Sequence, residues 1–347
     1  MPYPRQRRPL LTTTAALLGI PLALTACNGG GLPPGATPTA LTPGTKPLPQ
    51  PTLPALQQVT SDLTIGGPGA GPGSFNEPGG LVTDSEGNLY ATDIMNHRVQ
   101  KFDANGDFVA QVGGNGPGQG QFHEPWGIAI DSEGNVYVAD TFNHRIQKFD
   151  ADLNFVLAFG TPASNLQTPE PQSFWGPRDV AVDPAGNVWI ADSGTGRVVK
   201  YDPDGKLLQA FGGMGSGQGQ FQELTSIELA PGGDIFVADS GNRRVQRFDA
   251  NFTFLAEYPV PGWLYVDSVV KPYLALLPDG GFIVSDPTQN KLFRFDAQGK
   301  ATATLDAADS PLAVPRGLAF DRPGYIFVSE AEPDHVRRFP LKVPAPP

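Results

Sequence analysis

The sequence predicts an all-β protein: a six-bladed β-propeller of four-stranded blades, its ring closed by an N-terminal strand that completes the last blade. Three observations lead there. Six related segments recur along the chain. Each is built of short apolar runs bounded by turn residues. A stretch ahead of the first segment reads as a fourth strand with no blade before it.

The repeat is plain in "FNEPGGLVTDSEGNLYATDIMNHRVQKFD", "FHEPWGIAIDSEGNVYVADTFNHRIQKFD" and "FWGPRDVAVDPAGNVWIADSGTGRVVKYD". A fourth copy is "FQELTSIELAPGGDIFVADSGNRRVQRFD", and two weaker ones follow it. With anchors at Asp84, Asp131, Asp183, Ala230, Leu277 and Asp321, the steps are 47, 52, 47, 47 and 44 residues. Three positions after each anchor stands a glycine: Gly87, Gly134, Gly186, Gly233, Gly280 and Gly324. Nine positions after stands an acid: Asp93, Asp140, Asp192, Asp239, Asp286 and Glu330. Fourteen after stands a base or histidine: Arg98, Arg145, Arg197, Arg244, Lys291 and His335. Eighteen after stands an aromatic: Phe102, Phe149, Tyr201, Phe248, Phe295 and Phe339.

Within a copy, "GIAID" is an apolar strand and "SEGN" a turn whose glycine supplies positive φ. "VYVAD", "RIQKFD" and "FVLAFG" are the next three strands. Four strands in 44–52 residues is the size of a propeller blade. Blades pack face to face, so strict polar–apolar alternation is not required in "IAI" and "VYVA". "LTIGGPGAGPGSFNEP" at 63–78 matches "AQVGGNGPGQGQFHEP" at 110–125, and the sixth copy stops after its third strand. The N-terminal strand therefore supplies the missing one, which removes the sheet edge.

"VYVADTFNHRIQKFD", with Asn143, His144 and Arg145 followed by an aliphatic residue and an aromatic–Asp pair, resembles the NHL-repeat family of β-propellers, commonly six-bladed. The resemblance covers roughly residues 61–341 and is fullest in the first two copies. It implies the fold and leaves the activity open. Members include cell-surface binding modules, RNA-binding domains and a zinc-dependent lyase; related propellers include lactonases.

Outside the repeats, "MPYPRQRRPLLTTTAALLGIPLALTAC" has a basic start and an apolar run, the layout of an export signal. It ends in Leu24-Thr25-Ala26-Cys27, which resembles a bacterial lipobox. The expected division is a signal peptide at 1–26, a lipid-anchor Cys27 with a disordered Pro/Thr/Gly-rich stalk at 27–59, the propeller at 60–342 and a tail at 343–347. Cys27 is the sole cysteine, so no intramolecular disulfide forms. Acylation there would hold the protein to a membrane without crossing it, since no later segment reaches the roughly 18 apolar residues of a spanning helix. Losing the three arginines of the signal takes the net charge from −11 to −14, which opposes binding to nucleic acid. A monomer is expected.

The acid and base columns are expected to be scaffolding that fastens second strands to third, because a catalytic site breaks symmetry and these columns do not. His97 and His144 share a column and His335 lies one position later in the sixth copy, so the three are the candidate metal ligands. No cofactor is called for otherwise, though a divalent metal at the channel mouth stays open. His123 reads as a surface loop residue. A basic column seventeen after the anchor (Lys101, Lys148, Lys200, Arg247, Arg294, Arg338) has an aspartate two positions on in five of the six copies, and a solvated pairing with it is expected. In the resembling lyase, zinc-binding histidines open the inner strands. Here the column five before the anchor holds Gly79, Trp126, Arg178, Thr225, Pro272 and Arg316, without histidine. Trp126, Arg178 and Arg316 of this column, with the adjoining Asp179, are the least symmetric residues of the inner face and the candidate binding site at the channel mouth.

Three functions follow as expectations. The first is a membrane-anchored extracytoplasmic module binding a protein, peptide or glycan. The others are a metal-dependent hydrolase or lyase working at the mouth, and a spacer in an envelope assembly.

Overall fold

A computed structural model describes residues 54–263, 271–321 and 324–341. Cys27, the expected export signal, the first part of the expected stalk and residues 342–347 lie outside them.

Blade one is Pro78–Thr83, Leu89–Asp93, Arg98–Phe102 and Phe108–Gly113. Blade two is Pro125–Ile130, Val136–Asp140, Arg145–Phe149 and Phe155–Phe159. Blade three is Pro177–Val182, Val188–Asp192, Arg197–Tyr201 and Leu207–Gly212, and blade four Leu224–Leu229, Ile235–Asp239, Arg244–Phe248 and Phe254–Pro259. Blade five is Leu274–Leu276, Phe282–Asp286, Lys291–Phe295 and Ala301–Ala307. Blade six takes Pro315–Asp321, Tyr325–Glu330 and His335–Pro340 from the C-terminal side. Its fourth strand is Leu63–Gly66, running antiparallel to His335–Pro340 with Ile65 opposite Val336. The fold is the expected closed, six-bladed, all-β ring.

The glycine three after each anchor has φ between 81° and 93° in all six blades, the left-handed region that a residue with a Cβ enters only with strain. Second strands such as Val136–Asp140 are buried along their whole length. They feed six apolar clusters among the described residues, each joining neighbouring blades. One such cluster joins Tyr137, Ala139 and Ile146 of blade two to Val188, Ile190 and Val199 of blade three. The last, between blades six and one, contains Ile65, Phe75, Phe102, Phe327 and Val336. The aromatic that ends each third strand is buried. In four blades it meets a phenylalanine of the incoming crossover: Phe75–Phe102, Phe122–Phe149, Phe174–Tyr201 and Phe221–Phe248, at 5.5–5.9 Å.

Two features differ from expectation. Leu56–Val59, assigned by composition to the stalk, adds a fifth strand to blade five, parallel to Ala301–Ala307. Its side chains are mostly exposed, so backbone pairing holds it and no apolar pattern announces it. The longest repeat step is absorbed between blades two and three, where Thr161–Pro162 pairs with Ser173–Phe174.

The ladder between the first and second strands breaks at the start of the first. In blade two Pro125 pairs with Asp140 and the next pair is Ile128 with Val138, leaving Trp126 and Gly127 outside the ladder. The same shift follows Pro78, Pro177, Leu224 and Pro315. Such bulges re-aim side chains, and they fall on the column that holds Trp126, Arg178, Thr225 and Arg316.

Because Ile65 closes the ring, Ile65→Ala should cost about 2–5 kcal/mol in urea unfolding. Leu56→Ala, at an exposed position of the added strand, should stay within about 0.5 kcal/mol. Equal effects would show that closure does not run through Leu63–Gly66.

Candidate functional site

The acid column is buried and fully engaged in the regular blades. The Asp140 carboxylate accepts from the backbone N–H of His123 at 2.8 Å, the Asn143 amide at 2.9 Å, Arg145 Nε at 2.8 Å and Gln147 Nε2 at 3.0 Å. Asp93 and Asp239 repeat the set with Asn96, Arg98 and Gln100, and with Asn242, Arg244 and Gln246. In blade three Thr195 stands between the partners: it bonds Asp192, and Arg197 Nε donates to its hydroxyl at 3.1 Å. Burial pushes Asp192 up to about 6, against the pull of Thr195, the Trp175 N–H and Arg197. Blades five and six depart further. Lys291 turns to Asp306 while Asp286 accepts from Thr288, and Glu330 is held by Arg337 at 2.5 Å with His335 at 3.5 Å.

These donors also grip the neighbouring blade. Arg145 Nη2 donates to the carbonyls of Gly118 and Gln121, and Asn143 to that of Gly116, all in the crossover arriving from blade one. Gly116 lies at φ 156° with Gln121 packed where a Cβ would stand, which accounts for the glycine run in "GNGPGQGQF".

The histidines face the other way. The position thirteen after the anchor is left-handed in every blade: His97, His144, Gly196, Arg243, Asn290 and Asp334 have φ of 55–65°. His97 Nδ1 accepts the backbone N–H of Glu124 at 3.1 Å, and His144 Nδ1 that of Gly176 at 3.2 Å, each at the start of the next blade. Asn290 Oδ1 and Asp334 Oδ1 do the same for Val314 at 2.8 Å and Glu77 at 2.7 Å. His97 and His144 are thus inter-blade fasteners with unprotonated Nδ1 atoms. No group of three or more His, Cys, Asp or Glu side chains is arranged to hold a metal among the described residues. His123 is exposed and meets His97 at 5.9 Å and Phe142 at 5.4 Å.

The channel mouth is different in kind. The Arg178 guanidinium stacks over the Trp126 ring at 4.2 Å and that of Arg316 approaches it at 5.4 Å, so three blades meet at one indole. Arg316 is buried and pairs through Nη2 with Glu77 at 3.1 Å. Nine buried side-chain polar atoms lack a hydrogen-bond partner among the described residues. Six of them are Trp126 Nε1, Arg178 Nε, Arg316 Nε and Nη1, Tyr273 Oη and Thr225 Oγ1, all on these inner strand starts. Burial drives the Tyr273 phenol up, with the Asp179 charge adding to it, so the hydroxyl keeps its proton. Burial draws the Arg178 guanidinium down, while Tyr273, Glu223 and Glu124 oppose that shift. Lys271 bonds Glu223 at the same level.

Asp179 is not part of this mouth cluster. It turns into the contact between blades three and four and accepts the Ile227 N–H at 3.0 Å. Burial pushes it up to about 7, against hydrogen bonds from Ser226, Ile227 and Val180. Beyond it, Leu81, Ile128, Val180, Ile227, Leu274 and Leu318, one from each first strand, narrow the channel. A cavity of about 190 Å³ follows, lined in part by Glu228, whose carboxyl burial raises to about 8 with the Asp179 charge adding to it. Sequence reasoning missed Glu77, Tyr273 and Glu228. The first was legible, since Glu77, Glu124 and Glu223 share a column seven before the anchor. Tyr273 and Glu228 occur once in their columns and carried no signal.

The basic column also differs from expectation. Its members reach sideways, to the second strand or the turn before it, and in blade six Arg338 pairs with Asp62. Lys101 lies 5.0 Å from the Tyr90 ring, Lys200 is 3.4 Å from Asp183 and Arg294 2.7 Å from Asp279.

The NHL repeat profile matches residues 75–102, 122–149 and 174–201. Each match runs from the crossover phenylalanine to the aromatic that ends the third strand. With the six-bladed ring, these repeats support placing the chain among the NHL-repeat propellers. No curated protein matches it in sequence. Similar solved structures include a gluconolactonase from Xanthomonas campestris, at 16% identity and a TM-score of 0.58, covering 84% of this chain and 99% of that one. A streptogramin B lyase follows at 12% and 0.55, covering 77% and 94%. A virginiamycin B lyase from Staphylococcus aureus stands at 13% and 0.54, covering 75% and 79%. At these identities the likeness is one of fold.

Burial is the leading cause that holds the His97 and His144 imidazoles below their ordinary 6.5. The unfolded chain therefore takes up protons first as pH falls. The stability from the two neutral rings is complete above about 6.5 and is lost as pH drops through their folded values. Asparagine at this position already makes the bond in blade five. A H97N/H144N variant should match the wild type at neutral pH in urea unfolding and exceed it progressively towards pH ~5. Parallel pH profiles would refute neutral fasteners.

Proposed function

We propose that this chain is a lipid-anchored, extracytoplasmic binding propeller that takes its ligand at the channel mouth around Trp126, Arg178 and Arg316. The observation that supports this best is the set of buried polar atoms without partners on the inner strand starts. Folded proteins satisfy buried donors almost everywhere, so a cluster of exceptions where three blades meet at one indole marks a place for an outside partner. The rest of the ring is rigid without disulfides, which suits a module whose work is presentation. The ligand class is a protein, peptide or glycan segment small enough to enter the mouth.

The reading as a metal-dependent hydrolase or lyase has less to draw on. Of the candidate histidines, His97 and His144 spend Nδ1 on backbone N–H groups and His335 lies by Glu330, and the aspartates of the regular blades are taken up by arginine, asparagine and glutamine. A spacer does not require the mouth cluster at all.

Membrane attachment rests on the lipobox-like Leu24–Cys27 after a basic start and an apolar run. Expressed in a bacterial host fed an alkyne fatty acid, the chain should take up label, and Cys27→Ala should abolish it. Label that survives the substitution would sink the anchor.

Binding is tested on the purified full chain with a panel of short peptides, neutral oligosaccharides and organic acids. At least one class should raise Tm saturably, with the rise lost in Trp126→Ala. A flat panel, or a rise indifferent to Trp126, would favour the spacer. Conversion of the bound compound, read by mass spectrometry, would favour the enzyme.

A further inference from the structure

We propose that the ligand of the channel mouth carries a carboxylate, held between Arg178 and Arg316 against the Trp126 ring. The inference rests on reading the mouth as the binding site and names the chemistry that site selects.

The unpartnered atoms have one character. Trp126 Nε1, Arg178 Nε, and Arg316 Nε and Nη1 bear only hydrogen-bond donors. The Tyr273 and Thr225 hydroxyls can donate as well. Nothing in the set is an acceptor alone. A group that meets it must therefore be rich in acceptors and poor in donors. A carboxylate is both, whereas a neutral sugar brings a hydroxyl hydrogen with most of its oxygens.

Charge points the same way. Two guanidiniums flank one indole, at 4.2 and 5.4 Å, and each disfavours the other. Glu77 compensates one of them through Arg316 Nη2. Arg178 forms no ion pair among the described residues. It stands without a paired carboxylate beside the buried Trp126, Arg316 and Tyr273, with Glu223 and Glu124 acting on it only at longer range. A single carboxylate set against its guanidinium supplies the missing ion-pair partner. A phosphate dianion would bring a second charge among Glu77, Glu124 and Glu223. The shape agrees, since planar guanidiniums present paired N–H groups at the spacing of carboxylate oxygens. The bulge at the start of each first strand lifts Trp126, Arg178 and Arg316 out of the ladder, which makes this convergence available.

The test uses the full chain and matched acid–amide pairs: benzoate and benzamide, N-acetylglycine and its amide, and a tripeptide with a free or amidated C-terminus. Inorganic phosphate and maltose complete the set. Affinity is read by ligand-observed NMR and calorimetry. Each acid should bind at least about tenfold more tightly than its amide. R178Q and R316Q should each remove most of that difference while leaving the amides where they were. R178K and Y273F, which disturb packing less, should lower acid affinity in the same sense, so a misfolded glutamine variant does not end the test. Amides binding as tightly as acids would overturn the proposal. So would phosphate or maltose binding at a Trp126-dependent site while acids do not, though the mouth would then stand as a binding site. If no compound binds and Trp126→Ala changes nothing, both readings fall.

Discussion

Everything in this ring depends on one constraint: a carboxylate buried at the end of each second strand must be neutralised where no water reaches it. Asp140 shows how. It is fully buried and collects four donors, from the lead-in to its own blade, the following turn and the third strand. A buried charge is tolerated only when paired and hydrogen-bonded, and taking away one partner of such a pair costs about 3–5 kcal/mol. The donors cannot satisfy themselves on the carboxylate alone. Arg145 and Asn143 spend their remaining N–H groups on the crossover from the previous blade. His144, next to them in the turn, accepts from the blade that follows. One aspartate thus organises its blade and couples it to both neighbours.

The diverged blades show that the constraint is on donors and not on residue names. In blade three Thr195 relays between Asp192 and Arg197. In blade five Asp286 is capped by Thr288 and Gln289 of its own turn, which frees Lys291 for Asp306. In blade six the arginine has moved two positions along the third strand. Arg337 holds Glu330 and still reaches the crossover through the Ser310 carbonyl. The position left behind carries His335, whose Nε2 finds only a long contact with Glu330. The three unpartnered buried atoms outside the mouth belong to these two blades, at Asp286, His335 and Arg337. They mark where the stitch has drifted.

Most of the architecture was legible because a repeat fold writes its needs six times. The left-handed glycine of the first turn, the acid, the base and the aromatic each occupy a fixed column. Closure could be seen because Leu63–Phe75 copies the crossover at 110–122. What stayed hidden was geometry without periodicity. Leu56–Val59 pairs by backbone alone and needs no pattern. The role of His97 and His144 depends on a ring nitrogen meeting an N–H of another blade, 27 and 32 residues away. The basic column was assigned a partner along the chain, yet a strand places its nearest neighbours across the sheet. Lys101 lies opposite Tyr90 and Lys200 opposite Trp189. Trp126, Arg178 and Arg316 could be singled out as the places where the copies disagree. Their convergence could not, because sequence does not show which blades face each other across a channel.

The same logic separates scaffold from site. A device repeated in every blade is under one physical demand everywhere, so its atoms find partners and its residues converge on the few types that fit. The inner strand starts share a bulge, and the bulge is all they share. Glycine, tryptophan, arginine, threonine, proline and arginine follow one another around the ring at one column. Nothing in the packing of a propeller asks for two guanidiniums on one indole, and among the described residues only Arg316 has an ion-pair partner, Glu77. An unpaired buried guanidinium is costly to the folded chain, and it is placed where several inner strand starts converge. Hydrogen bonds left open in the protein alone are what the proposed ligand would complete.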